Sequence, residues 1–361
     1  MALTGIRGVA ACVVALYHFR TEVPEFSSLG ALARHGEYFV DLFFVMSGYV
    51  LALSYERSFT GGFRGRDYLR FVGYRLSRIY PAHFAALTAF IIIPVAYVST
   101  GRPLPQDRFD VTYWLAGAAL VQNWGFLPKL EWNIPAWSIS SELLFYIGFP
   151  LFCLTTTRLS TALRVVLYMV AILICLGFAG QRAGQLGANI PSFGPARCLL
   201  ECCLGMALLK LDRFYRPGLA TCNVLTLGLM ALGALFSLEL VADYIAIPVG
   251  VLVLLQILLC RKSVVARIAS FPPVVWLGRI SYSTYIIHYF IKDAVKITLV
   301  GVASDAVVLT VYISGVVLAA TALYHSAETL GQRYGKRLVD FLLTTKRSDV
   351  KFPLGGSEKN T

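Results

Sequence analysis

The stretch LTGIRGVAACVVALYHF, residues 3–19, is an apolar segment of helix length that carries two ionisable side chains. Arg7 and His18 are eleven residues apart, which is almost three whole turns of α-helix, so both side chains point the same way. Their separation along the axis is about 16 Å at 1.5 Å per residue. An ionisable residue in a membrane-spanning helix is costly and usually faces a protein interior or a wet cavity. We therefore expect this helix to line a polar path into a bilayer.

The composition indicates a membrane protein with many spans. Hydrophobic residues make up 57% of the 361 residues and charged residues 14%, whereas a soluble domain has roughly 25% charged residues. Mean hydropathy is +0.67. No cleavable signal peptide is recognisable, because Arg7 interrupts the first apolar run and no small-residue cleavage site follows it. The predicted fold class is an all-α, polytopic integral membrane protein.

Apolar runs of helix length give the candidate spans. They lie near residues 3–19, 36–53, 79–98, 111–126, 136–155, 163–180, 193–210, 218–238, 242–260, 276–300 and 305–327. If 111–126 does not cross, 23 of the 32 lysines and arginines fall on one side, which the positive-inside rule makes cytoplasmic. If it does cross, the later basic loops change sides and the bias collapses. We predict about ten spans, cytoplasmic termini, and a re-entrant or interfacial segment at 111–126.

Two arginines mark the region before the third predicted span. Arg75 and Arg78, in the stretch RLSRIYPAH, are three residues apart and share a face at the cytoplasmic start of that helix. Two guanidiniums in a basic loop suit a phosphate or a pyrophosphate. The plainer interpretation is an ordinary positive-inside anchor.

A carboxylate stands in the stretch NIPAWSISSELLFY, residues 133–146. Ser138, Glu142 and Tyr146 follow one another at i, i+4 and i+8, on one face of a helix. A carboxylate about one turn into a spanning helix is expensive and needs a partner, such as a histidine or an arginine. A purely structural ion pair would also meet this need.

A polar stripe follows in LGRISYSTYIIHYFIK, residues 277–292. Its members recur at i, i+4, i+7 and i+11 on an inward face, and they are Ser281, Tyr285, His288 and Lys292. Asp41, in VDLFFVMSGYVL, is a further candidate, beside a Ser47-Gly48 pair that allows close backbone contact.

Cysteine and histidine spacing does not suggest a metal site. The eight cysteines lie mostly inside apolar runs without CxxC spacing, and the five histidines are dispersed without an HxxxH pair. We expect no metal and no tightly bound cofactor.

Six stretches, taken in order, resemble the signature blocks of the acyltransferase family 3 membrane proteins. They are RGVAACVVALYH, VDLFFVMSGYVL, RLSRIYPAH, WSISSELLFY, LGRISYSTYIIH and HSAE. The arginine-x10-histidine spacing is the most specific element of this resemblance. It implies ten spans in a bacterial inner membrane with inward termini. We expect a transmembrane acyltransferase domain at 1–330 and a basic, partly disordered cytoplasmic tail at 331–361.

The resemblance also implies an activity. Many relatives transfer acetyl or other short acyl groups from cytoplasmic acyl-CoA to sugars of envelope or exported polysaccharides. By resemblance, Arg7 and His18 correspond to the essential pair, and Arg75 and Arg78 to the cytoplasmic RxxR. The expected partners are acyl-CoA, a polysaccharide or lipid-linked saccharide acceptor, and the bilayer, but no nucleic acid.

The hypothesis that follows is an O-acyltransferase whose donor phosphates lie near Arg75 and Arg78. His18 either takes the acceptor hydroxyl proton as general base or carries the acyl group covalently. Glu142 or Asp41 is expected to orient the imidazole, as the third member of a triad does. The alternative is a transporter or flippase of a lipid-linked saccharide. Such proteins often have inverted repeats and paired broken helices, and neither is recognisable here.

Overall fold

The computed structural model describes residues 1–23 and 35–345, and every regular element within them is helical. The first eight α-helices are α1 (Ala2–Phe19), α2 (Phe39–Thr60), α3 (Gly65–Ala89), α4 (Ile92–Ser99), α5 (Val111–Ala118), α6 (Trp137–Thr157), α7 (Ala162–Ala183) and α8 (Ile190–Phe214). The others are α9 (Leu219–Ser237), α10 (Asp243–Leu259), α11 (Val264–Ala269), α12 (Pro272–Arg279), α13 (Ser281–Thr298), α14 (Asp305–Leu323) and α15 (Thr329–Thr345). The all-α prediction is confirmed.

The number of helices that can span a membrane can be compared with the ten spans predicted from the sequence. Within the described residues, eight helical stretches are long and apolar enough to cross. Helix α10 is apolar but has only 17 residues, and α13 has 18 residues but carries several charged side chains. At 1.5 Å per residue both are about 26 Å long, close to the thickness of a hydrocarbon core. Together they bring the candidate spans to ten.

Contacts along the helices give their directions. Helix α13 runs parallel to α1, because Gly8 packs against Gly278 just before α13 and His18 lies beside His288. Helix α14 runs back, since Tyr312 in its first half donates to the carbonyl oxygen of Ala15 at 2.8 Å, and Glu328, just beyond its end, accepts from Ser283 at the start of α13. The start of α1 and the end of α14 therefore lie at one end of the bundle. We call it the Arg7 end, and the opposite one the His18 end.

Helices α2 and α8 cross with their backbones in contact. A methyl group placed on Gly48 would overlap the carbonyl oxygen of Cys202, and one placed on Gly205 would overlap that of Val45. Small residues let membrane helices approach this closely and gain dispersion contacts. The close contact expected at Gly48 is therefore present, and it fixes α2 beside α8.

Segment 111–126 does not cross the bundle. Helix α5 has eight residues, about 12 Å, which is far short of a 30 Å hydrocarbon core. The chain returns to where it began, since the indole nitrogen of Trp132 donates to the carbonyl oxygen of Asp110 at 2.7 Å. At the tip of this loop, Asn123 donates to the hydroxyl of Ser141 in α6, 2.9 Å away. The sequence predicts a re-entrant or interfacial segment here, and the short helix and the return of the chain agree with a segment that does not cross.

Two predicted helix starts were wrong. The third span was expected from residue 79, but α3 begins at Gly65, so Arg75 and Arg78 lie inside it. Hydropathy alone misplaces this boundary because the first half of α3 is amphipathic. The ninth span was expected over 276–300, yet α12 and α13 are separate helices that meet at Ile280. The consecutive prolines at 272–273 start α12, and Ile280 interrupts the helix before α13 begins.

The C-terminal region continues as helix beyond the predicted domain boundary at 330. A π-helical turn, Tyr324–Glu328, joins α14 to α15. Helix α15 packs on α3, where Gly335 lies against Ser77 and Gly331 against Pro81. Residues 331–345 of the tail predicted at 331–361 are helical, and the rest of that tail lies outside the described residues.

Membrane orientation is tested by the loop after α8. In a background without native cysteines, Arg216→Cys should react with an impermeant maleimide only when the cytoplasmic face is accessible. Gln106→Cys, exposed at the His18 end, should react in intact cells. Labelling of both positions from the same side would contradict the ten-span arrangement.

Packing between α2 and α8 is tested by Gly48→Ala. The added methyl group has no room, so we expect a loss of about 1–3 kcal/mol of stability, as overpacking usually causes. Thermal unfolding in detergent measures the effect. Gly228→Ala is the matched control, because no atom lies within 4 Å of its added methyl group. Equal melting temperatures for both variants would contradict the close packing.

Candidate active site

A cavity opens between α1, α2, α3, α6 and α13, and most of the predicted site residues line it. Its volume is about 110 Å³, and it is partly open to the surroundings. The predicted residues on its wall are Arg7, Arg75, Arg78, Ser138, Glu142, Tyr146, Ser281 and Tyr285. Residues that are far apart in the sequence thus share one site. His18, Asp41, His288 and Lys292 lie outside this wall.

The guanidiniums of Arg7, Arg75 and Arg78 face the cavity, and they differ in their hydrogen-bond partners. Arg75 donates from Nη2 to the hydroxyl of Tyr146 at 2.8 Å, and its guanidinium carbon lies 4.7 Å from the centre of that ring. Its Nε is buried without a hydrogen-bond partner. Within the described residues, Arg7 and Arg78 form neither a side-chain hydrogen bond nor an ion pair within 4.0 Å. Donors of this kind are available to an anion that enters the cavity.

Two carboxylates balance part of this charge. Glu142 accepts a short hydrogen bond from Ser47, and Glu328 accepts one from Ser283 at 2.6 Å. Both carboxylates act electrostatically on Arg7, as do Arg75 and Arg78. Three cations against two carboxylates leave an excess of positive charge. The cavity is therefore suited to a negatively charged group.

Ser138 and Tyr285 form the cavity wall nearest the His18 end. Their hydroxyls are 2.8 Å apart, and that of Tyr285 also lies 2.8 Å from the carbonyl oxygen of Pro135. One turn further along α13, the ring of His288 is centred 5.9 Å from that of Tyr285. Tyr285 is therefore the residue that the cavity wall and the histidines share.

His18 and His288 form a pair of imidazoles. Nδ1 of His18 lies 3.2 Å from Nε2 of His288 and 3.0 Å from the carbonyl oxygen of Val14. Nδ1 of His288 lies 2.7 Å from the carbonyl oxygen of Tyr285. The rings of Tyr17 and Tyr289 meet the His18 ring edge-on at 5.0 and 5.4 Å. Position 288 was predicted to line the site, but this contact with His18 was not foreseen.

Within the described residues, neither of the two expected triad partners forms a hydrogen bond or an ion pair with His18. Asp41 is fully buried and pairs with Arg197, whose Nε donates to it at 2.8 Å. Glu142 lies on the cavity wall with the arginines, one turn closer to the Arg7 end than Ser138. Asp41 is paired with Arg197, and Glu142 accepts a hydrogen bond from Ser47. An unpaired charge among apolar helices is costly, so each carboxylate needs such a partner. Position 288 supplies the contact that was expected from a carboxylate.

Lys292 belongs to a charged network at the His18 end. Its Nζ lies 3.8 Å from a carboxylate oxygen of Glu22 and 3.7 Å from one of Asp293. Arg108, from the loop before α5, pairs with Asp293 at 2.5 Å. This network ties the loop to α13 rather than lining the cavity.

Two residues near the site were missed. Arg197 stands inside the apolar run 193–210, and the criterion that identified Arg7 applies to it equally. Tyr282 lines the cavity and donates to the carbonyl oxygen of Ile79 at 2.5 Å. Its neighbour Tyr285 was identified by spacing, whereas Tyr282 falls outside the i, i+4, i+7, i+11 series.

Comparisons with known proteins agree with this arrangement of motifs. The chain is similar to "Acyltransferase MdmB" of Streptomyces mycarofaciens, with 32% identity over 158 residues, which is 42% of this chain and 38% of that protein. It is also similar to "Protein 2 in picA locus" of Rhizobium radiobacter, with 29% identity over 188 residues, 48% of this chain and 92% of that protein. No solved structure matches the chain significantly. The sequence model of the acyltransferase 3 family, described as an acyltransferase domain, matches residues 2–325. Because that match covers nearly the whole chain, the protein belongs to the acyltransferase 3 family.

Proposed function

We propose that the protein transfers a short acyl group, acetyl in the simplest case, from cytoplasmic acyl-CoA to a hydroxyl of an exported or envelope polysaccharide or its lipid-linked precursor. The observation that supports this proposal is that α1 contributes one side chain to each of two neighbouring sites. Arg7 lies in a cavity with an excess of positive charge, and His18, about 16 Å further along, lies in an imidazole pair. Membership of an acyltransferase family favours this function over the transporter alternative.

The arginines are the groups that would hold the donor. Coenzyme A carries a pyrophosphate and a further phosphate, and guanidiniums bind such oxygens through paired, charge-assisted hydrogen bonds. Arg7 and Arg78 have no side-chain partner within the described residues, and Arg75 keeps one free buried donor. Under the predicted orientation the Arg7 end faces the cytoplasm, where acyl-CoA is found.

The path from the arginines to His18 suits a pantetheine arm. The axial distance of about 16 Å along α1 is comparable to the reach of that arm. Ser138 and Tyr285 stand between the cavity and the imidazole pair, so the thioester would pass these two hydroxyls. An acceptor sugar would come from the His18 end, which favours a glycan on the outer side of the membrane.

His18 is the proposed general base. Its Nδ1 lies 3.0 Å from the carbonyl oxygen of Val14, which can only accept, so in the neutral ring Nδ1 carries the hydrogen and Nε2 the lone pair. Nε2 would take the proton of the acceptor hydroxyl while the oxygen forms a new bond to the acyl carbon. The carbon–sulfur bond then breaks, and the leaving thiolate takes that proton to become the free thiol. The products are an ester and coenzyme A.

Replacement of the base tests this step. His18→Ala should lower turnover by roughly 10²–10⁴-fold, the usual contribution of a general base. Acyl transfer from labelled acetyl-CoA to the glycan, with purified protein, gives the measurement. Size-exclusion behaviour and melting temperature must match those of the wild type. Wild-type turnover would exclude His18 as the base.

Replacement of a cavity arginine tests donor binding. Arg78→Gln should raise KM for acyl-CoA by roughly 10–100-fold, because hydrogen bonds between charged groups contribute about 1.5–3 kcal/mol. KM for the acceptor should change much less. Arg70→Gln is the matched control, since Arg70 lies on the same helix but pairs with Asp340 at 3.3 Å outside the cavity. An unchanged donor KM in Arg78→Gln would leave this arginine as a topology anchor only.

A further inference from the structure

We propose that His288 is the positioning residue of His18, the part that a carboxylate plays in hydrolase triads. It accepts a hydrogen bond from Nδ1 of His18, so that Nε2 of His18 is presented as the reacting nitrogen. This inference rests on the proposed function. It adds a residue that acts through His18 and does not itself meet the substrates.

The hydrogen on His288 follows from its backbone contact. Its Nδ1 lies 2.7 Å from the carbonyl oxygen of Tyr285, and a carbonyl oxygen can only accept. Nδ1 of His288 therefore carries the hydrogen. In a neutral ring this leaves Nε2 of His288 as an acceptor. The side chain is fully buried, where the neutral form is favoured over the charged one.

The hydrogen on His18 follows in the same way. Its Nδ1 is 3.0 Å from the carbonyl oxygen of Val14 and 3.2 Å from Nε2 of His288, and both atoms are acceptors. Nδ1 of His18 therefore carries a hydrogen, and the two acceptors share it in a bifurcated hydrogen bond. The contact with Val14 lies within α1 and selects the tautomer only. The contact with His288 comes from α13, and it orients the ring relative to the rest of the bundle.

The carboxylates of the surrounding helices have other partners. Asp41 is held by Arg197, and Glu142 by Ser47. At the His18 end, Glu22 pairs with Lys296 at 3.0 Å and Asp293 pairs with Arg108 at 2.5 Å. A neutral acceptor suits this position, because an additional buried carboxylate would carry a desolvation cost of its own. When His18 takes a proton, its Nδ1–H remains directed at a nitrogen that can share the positive charge.

The two hydrogen bonds of His288 can be separated by matched amide substitutions. In His288→Gln the amide reaches about as far as Nε2 and can accept from His18, while the bond to Tyr285 is lost. In His288→Asn the amide lies about where Nδ1 does and can donate to Tyr285, but it does not reach His18. A purely structural role predicts that Asn is tolerated at least as well as Gln.

Acetyl transfer from labelled acetyl-CoA by the purified full-length variants gives kcat and the donor KM. We expect His288→Asn to lower kcat by roughly 10–100-fold, the effect of losing a hydrogen bond to a group that becomes charged. His288→Gln should keep clearly more turnover, and the donor KM should stay unchanged in both. Equal turnover in the two variants, or more in Asn than in Gln, overturns the proposal.

A control separates this effect from the general cost of changing a buried histidine. His83 is also fully buried and bonds through Nε2 to the carbonyl oxygen of Gly117 at 2.8 Å, away from His18. His83→Asn and His83→Gln should both keep wild-type kcat if they fold.

Action through His18 is tested by a double variant. In a His18→Ala background, His288→Asn should cause no further loss, because a residue that acts through another has nothing left to position. A further loss overturns the proposal. Wild-type turnover of His18→Ala alone contradicts the proposed function instead, so the two failures can be told apart.

Discussion

The cost of burying charge among apolar helices organises the interior of this protein. Some buried charges are matched between helices, as Asp41 is by Arg197 and Glu56 by Lys210, at 2.8 Å each. Each pair joins α2 to α8, and the two charges of a pair compensate each other. Arg7 instead faces a cavity. The same constraint thus divides the buried ions into those that hold helices together and those that are available to a ligand.

Helices α1 and α13 place the two parts of the candidate site at fixed separation. They run in the same direction, so positions that are level at the Arg7 end stay level at the His18 end. The hydroxyl of Tyr285 is shared by the wall of the cavity and the surroundings of His288. The cavity with its three guanidiniums and the imidazole pair of His18 and His288 are therefore held in one frame by these two helices.

Much of this frame could be predicted from local pattern. A lipid-facing helix must satisfy its own backbone, so long apolar runs predict helices reliably. The eleven-residue spacing placed Arg7 and His18 on one face, and each has polar neighbours in the structure. Basic-residue bias was enough to identify 111–126 as a segment that does not cross.

Contacts between helices that are far apart in the sequence could not be predicted from local sequence pattern. Asp41 and Arg197 are 156 residues apart, and no local spacing reports which carboxylate an arginine will choose. The partner of His18 was sought among carboxylates because hydrolase triads use them. Position 288 is its neighbour because α13 runs beside α1, and the backbones also meet closely at Gly8 and Gly278.

The glycines on either side of Arg7 have a consequence for recognition. Gly5 and Gly8 press the backbone of α1 against Ala269 and Gly278, so closely that a methyl group at either position would overlap its neighbour. The backbone that carries the guanidinium is thereby immobilised when the protein folds. Less conformational entropy remains to be lost when an anion arrives, and preorganisation of this kind strengthens binding without adding a contact. If the cavity binds an anion, as proposed, its selectivity would depend on the shape of that anion, because the backbone at Gly5 and Gly8 has no room to move towards its neighbours.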